Sequence, residues 1–190
     1  MNVRLLYIAL FCSGTALAAS PVQDNANLEN SVQNYKGNLS INQAAGDQQQ
    51  QTNTRAIAIG HEAQASTHVI QRIDAPYSRA LDANASISGS SFSNGSGVLG
   101  INQSAGAGTQ QANAVRIGIS AVPQSIDDST LLQQNVALSN SSDPTGQPSG
   151  SRQVSTSDQA FGNSRGVVQL NQSAGVGNRM ANTLSVRVAD

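Results

Sequence analysis

Apolar and polar residues alternate with period two over several short stretches of this chain. Leu99 and Ile101 alternate with Gly100 and Asn102, and Val115, Ile117 and Ile119 alternate with Arg116 and Gly118. Alternation of this kind predicts half-buried β-strands. Between the two stretches lies Ser104-Ala105-Gly106-Ala107-Gly108-Thr109, whose glycines supply the positive φ that a chain reversal needs. The segment 96–119 therefore reads as strand–turn–strand, either a hairpin or a β-arc.

The same pattern occurs three times, at 36–59, 96–119 and 165–188, and the copies align without a gap. Six columns are identical: Gly37/Gly97/Gly166, Asn42/Asn102/Asn171, Gln43/Gln103/Gln172, Ala45/Ala105/Ala174, Gly46/Gly106/Gly175 and Asn53/Asn113/Asn182. Four more are always aliphatic: Leu39/Leu99/Val168, Ile41/Ile101/Leu170, Ile57/Ile117/Val186 and Ile59/Ile119/Val188. Self-similarity at this level marks a repeat architecture. One two-stranded unit buries too little apolar surface to be stable alone, but stacked units can share a core. Asn and Gln at one register in successive units can form side-chain amide ladders along the stack. Fixed position separates this reading from simple solvation of exposed strand faces. The expected fold is all-β: strand–turn–strand units stacked as a β-solenoid or a cross-β amyloid fold, with flexible spacers.

Met1–Ala18 reads as a secretory signal, with Arg4, the apolar run Leu5–Cys12 and the small-residue end Ala16-Leu17-Ala18. The expected organisation is a signal peptide at 1–19, a polar lead-in at 20–35, and repeat 1 at 36–59. Spacer 1 (60–95), repeat 2 (96–119), spacer 2 (120–164) and repeat 3 (165–188) follow. Upstream of the first arm an apolar residue recurs two positions before an asparagine, as Val32-Gln33-Asn34, Phe92-Ser93-Asn94 and Phe161-Gly162-Asn163. The repeat is therefore nearer 30 residues, with an anchor before the first arm. Arg55 stands where the other copies have Val115 and Leu184. If that column faces inward, copy one is the terminal layer and the charge blunts an exposed edge. Val69, Ile70 and Ile73 could form a strand in the first spacer, with Pro76 ending it. Leu131, Leu132, Val136 and Leu138 could add a strand pair in the second, before the turn-rich 143–150.

Composition narrows the function classes. Charged residues are 11% and aromatics 3% of 190 residues, and the formal net charge is −1. No basic patch is available for nucleic acid. Cys12, within the signal, is the single cysteine, so disulfides do not hold the mature part. His61 and His68 lack cysteine or carboxylate partners for a metal and read as loop residues. Asp127-Asp128 reads as a solvated pair. Gly95-Ser96-Gly97 and Gly106-Ala107-Gly108 are not followed by the Lys and helix of a phosphate loop. No catalytic, metal or cofactor site is expected. The chain is read as a structural protein rather than an enzyme.

The repeated aliphatic-x-aliphatic-Asn-Gln-Ser/Ala-Ala-Gly, followed by Gln/Asn-rich residues and separated by two unequal spacers, resembles the subunits of the Fap functional amyloid system of pseudomonads. The resemblance covers the repeats and the overall layout. It implies a secreted, extracellular fibre subunit that supports biofilm formation and adhesion. It also implies self-association, co-assembly with a related subunit, and export through an outer-membrane pore with periplasmic helpers. Carried over by position, Asn42, Gln43, Ala45, Gly46 and Asn53, with Asn102, Gln103, Ala105, Gly106, Asn113, Asn171, Gln172, Ala174, Gly175 and Asn182, are the expected fibre-core positions. The chain ends Val-Ala-Asp without the Cys-x-Cys associated with the major subunit, which favours the minor, nucleator-like one. The competing reading is a non-amyloid surface adhesin with a β-solenoid head, suggested by Ala56–Ala65.

Overall fold

The computed structural model describes residues 22–73, 81–121, 134–136 and 150–189. The signal segment, Pro76, Asp127-Asp128, Leu131, Leu132, Leu138 and the turn-rich stretch at 143–149 lie outside the described residues. Among the described residues every regular element is a strand. In chain order these are β1 (Val22–Glu29), β2 (Lys36–Ala45), β3 (Gln50–Gly60), β4 (Val69–Gln71), β5 (Leu81–Ser88) and β6 (Ser96–Ala107). β7 (Gln110–Ser120), β8 (Gln134–Val136), β9 (Arg152–Thr156), β10 (Arg165–Val176) and β11 (Arg179–Ala189) complete the set.

The two arms of a unit do not pair with each other. Each pairs in parallel with the same arm of another unit, so the unit is a β-arc and not a hairpin. Sheet orders are β1-β5-β9, β10-β6-β2 and β11-β7-β3, with β4 beside β8. Register follows the repeat alignment: Asn42, Asn102 and Asn171 are Cα partners, as are Asn53, Asn113 and Asn182. Repeat 2 is central in the β10-β6-β2 and β11-β7-β3 sheets, where repeats 1 and 3 supply the two outer strands, and β5 is central in the remaining three-stranded sheet.

Each layer has three long strands, one more than the two-armed reading, and the short β4 and β8 add a fourth to the first two layers. β1 lies in the stretch expected to be a polar lead-in, and β5 and β9 lie in the expected spacers. Their inward positions are small or mixed: Asp24, Ala26, Leu28 in β1 and Ala83, Ala85, Ile87 in β5. Alanine at alternate positions gives a weak apolar signal, yet a thin β-layer has room for little else. The inner strands cover one face of the central sheet in two apolar clusters. One comprises Ala26, Leu81, Ala83, Ala85, Ala105 and Ala107. The other comprises Tyr35, Ile87, Phe92, Leu99 and Ile101, with Leu39, Ile41, Phe161 and Leu170 packed around it.

The corner between the first two strands of a layer is also laddered. Phe92 N–H donates to Ser31 O at 2.8 Å and Phe161 N–H to Ser91 O at 2.9 Å. Val32, Phe92 and Phe161 share a left-handed φ of 51°, 60° and 62°, a conformation uncommon for non-glycine residues. The anchor thereby turns inward, and Phe92 stacks on Phe161 with ring centroids 5.4 Å apart. Phe92 is fully buried. Phe92→Ala is expected to lower unfolding free energy by about 3–5 kcal/mol. Phe161→Ala, at the half-buried outer layer, should cost less; chemical denaturation of both variants measures the difference.

The second arm departs from simple alternation. Val115 is buried, but Ile57 and Ile59 are 55% and 74% exposed, whereas Arg116 is 2% exposed. The chain after β3 returns over the outer sheet and covers the Arg116 side. Ser120 Oγ donates to His61 O at 2.9 Å, and Gln71 Nε2 donates to Gln111 O at 3.0 Å. Within this returning segment β4 takes in Val69 and Ile70 but not Ile73. Its partner is β8, which holds Val136 of the expected strand residues.

Candidate assembly surface

The central sheet packs its other face on the β3/β7/β11 sheet through amides rather than alkyl groups. Three columns run across all three layers. Asn102 Nδ2 donates to Asn42 Oδ1 at 3.0 Å and Asn171 Nδ2 to Asn102 Oδ1 at 2.9 Å. Asn113 donates to Asn53 at 3.0 Å and Asn182 to Asn113 at 3.1 Å. Gln103 donates to Gln43 and Gln172 to Gln103, both at 2.8 Å.

The two asparagine columns are tied crosswise within each layer. Asn53 donates to Asn42 at 2.8 Å, Asn113 to Asn102 at 3.0 Å and Asn182 to Asn171 at 2.9 Å. Spare N–H groups close on the backbone: Asn102 on Thr52 O (2.8 Å), Asn113 on Ile101 O (3.0 Å) and Asn171 on Ala112 O (3.0 Å). The glutamine column reaches the opposite way, with Gln103 Nε2 on Ala26 O (3.0 Å) and Ser86 O (2.9 Å). It therefore ties β6 to the inner strands. A buried amide costs free energy unless its donors and acceptors are all satisfied. Asn102, Gln103 and Asn113 are almost wholly buried, and this lattice supplies their partners.

Ala45, Ala105 and Ala174 sit in or against the first apolar cluster. The glycines of the other two recurring columns make close approach between layers possible. Gly97, Gly106 and Gly175 have φ of 133°, 120° and 119°. A side chain on Gly97 would run into the carbonyl of Gly37, and one on Gly106 into that of Gly175. A side chain on Gly37, which faces outward from the stack, would meet nothing within 4 Å.

The sequence reading missed two further amide columns. Gln110 Nε2 donates to Gln50 at 3.0 Å, and Gln51 Nε2 to Gln111 at 2.9 Å and to Ser104 Oγ at 2.8 Å. The repeat of Gln50-Gln51 as Gln110-Gln111 in two copies was the available signal. In the third copy Arg179 and Met180 stand in these columns. Arg55 does turn toward the neighbouring strand: its guanidinium donates to Leu39 O and Ser40 Oγ. Desolvation lowers its pKa from the ordinary arginine value. His61 and His68 are both exposed.

This geometry defines a class, repeat-built all-β proteins whose parallel layers are held by amide columns. Residues 13–189 match the family described as functional amyloid protein FapB/FapC, and the chain belongs to that family. A segment of 41 residues is 51% identical to the functional amyloid subunit FapC of Pseudomonas aeruginosa. That match takes in 22% of this chain and 12% of the relative's length. No solved structure shows a significant match. The family is one of functional amyloid proteins, not of enzymes.

Proposed function

We propose that this chain is a secreted subunit of an extracellular amyloid fibre supporting biofilm and adhesion, and that it is the minor or nucleating component. Copies stack layer on layer in the manner of a β-solenoid, extending the parallel sheets and amide columns from one molecule to the next. Asn42, Gln43, Asn53 and their counterparts are the fibre-core positions. The observation that carries this reading is that, among the described residues, β2 and β3, and at the other side β10 and β11, are the end strands of their sheets. Most proteins hide such edges; here the same residue columns continue to both outer layers. A folded copy presents a ready-made layer, which bypasses the unfavourable first step of assembly. Export by an outer-membrane pore with periplasmic helpers and co-assembly with a related subunit belong to the same reading.

Purified protein at rest in near-neutral buffer should give thioflavin T fluorescence that grows after a lag. The fibres should then diffract at ~4.7–4.8 Å on the meridian and ~10 Å on the equator. Trace amounts should shorten the lag of a related Fap subunit. Persistent solubility with a β-rich spectrum and a cooperative melt would overturn the reading in favour of a folded surface adhesin.

A further inference from the structure

Two of the four columns that are aliphatic in all three repeats find no place in the interior. Ile57, Ile117 and Val186 are Cα partners across the layers, as are Ile59, Ile119 and Val188. Ile117 is half-buried. The other five are all exposed, Ile59 the most. Solvent contact alone would admit polar residues here, yet each copy has isoleucine or valine. The two columns lie side by side and form one bare aliphatic stripe up the stack. We propose that this stripe is the seam along which two filaments of this chain pair, stripe on stripe. The inference rests on the stacking reading above and adds a lateral contact to the axial one.

Area decides when the seam can form. The bare aliphatic surface of one molecule is on the order of 400 Å², no more than an ordinary monomer shows. A standard interface buries ~800 Å² on each partner, so two single molecules fall short. Stacking changes this, because the columns run on from copy to copy. Three stacked copies present on the order of 1,200 Å² in one continuous strip, enough for a stable contact. Every further copy adds to it without a new association event. Pairing is therefore a property of the filament and not of the free molecule.

The chemistry of the stripe selects a second filament as its occupant. Its side chains are all β-branched and therefore stiff, and they recur at each layer, ~4.8 Å apart. A surface of matching period interdigitates with it, and another stack of this chain has that period. Identical side chains meeting in this way form a dry steric zipper. The stripe itself is uncharged. Arg55, two positions before Ile57 on the same strand face, is turned away to Leu39 O and Ser40 Oγ. A membrane-surface helix pairs its apolar face with Lys, Arg and aromatic residues; this stripe has neither charge nor ring. The contact is isologous, the same patch on both partners, so it closes at two filaments.

Mass per length of fibres grown from the full chain, read by scanning transmission electron microscopy, tests the seam. Wild-type fibres should hold two molecules per ~14 Å of axis, the height of three layers. The triple variant Ile59→Thr, Ile119→Thr and Val188→Thr keeps the β-branch and the strand preference but carries hydroxyls into the seam. It should elongate on seeds at the wild-type rate by thioflavin T, with its mass per length halved. Ile59→Val with Ile119→Val and Val188→Ile should keep the wild-type mass. Wild-type fibres at one molecule per ~14 Å, or a threonine variant that still pairs, overturn the seam while stacking stands. Single wild-type filaments that float with phosphatidylcholine vesicles would give the stripe to lipid and overturn it equally. If the triple variant does not fold, Ile59→Thr alone should raise the fraction of single filaments severalfold, and an unchanged fraction overturns the seam. Failure of wild-type protein to form cross-β fibres removes the stacking reading and the seam together.

Discussion

Gly106→Val abolishes the layered fold. The substituted side chain is driven into the Gly175 carbonyl of the next layer, and φ at this position is 120°. Backbone strain of this kind costs about 1–3 kcal/mol by itself. The carbonyl cannot retreat, because β6 and β10 are paired along twelve consecutive residues from Ser96/Arg165 to Ala107/Val176. Relief requires opening the ladder, so the total passes the ~4–5 kcal/mol that marks an exceptional substitution. A domain of this size has about 5–15 kcal/mol in all. Loss of the cooperative melt and of the β-type circular dichroism is the expected result. Gly37→Val supplies the contrast: φ is 87° but space is open. It should lose only the strain, so its monomer folds while its fibre growth stops. A Gly106→Val protein that melts like wild type would show that the layers do not approach as described.

Asn102→Asp is the second large effect. Asn102 is fully buried and engaged in four amide contacts. It donates to Asn42 and Thr52 and accepts from Asn113 and Asn171. A carboxylate keeps both acceptors but loses both donors, leaving the Asn42 and Thr52 oxygens facing an anion. Orphaned buried groups cost about 1–3 kcal/mol each, and an uncompensated buried charge about 3–5 kcal/mol. A loss on the order of 5 kcal/mol follows. Burial raises the introduced carboxyl's pKa above the unfolded value, so the folded variant binds the proton more tightly. Its stability should therefore rise as pH falls toward the ordinary carboxylate range, opposite to the trend of a salt-bridged carboxylate. Thermal melts at pH 7 and pH 4 measure this. Equal stability of variant and wild type at pH 7 would mean that the lattice is not a dry interior.

The register of the three layers was legible in the sequence because it is written in identities. A column such as Asn42/Asn102/Asn171 specifies its own alignment. The amide ladders followed from the same columns. The inner strands were not legible: β1 and β5 line the core largely with alanine and so produce little hydrophobic contrast. Nor was the burial of Arg116 or the exposure of Ile57 and Ile59, since alternation within a strand cannot show which face a returning segment covers. Arg152 carried no signal on its own. Its place in one column with Asp24 is visible only once β9 is paired with β5 and β5 with β1.

The layers are alike in backbone and unlike in side chains. Val32 precedes Phe92 and Phe161 in the corner column, and Ala83 separates Asp24 from Arg152. A filament built by the proposed stacking would consequently be periodic on two scales. The peptide ladder repeats at each layer, but the electron density repeats only with each whole molecule, three layers or about 14 Å along the axis. Well-aligned fibres should show a weak meridional reflection at that longer spacing, and its third order should coincide with the strong ladder reflection.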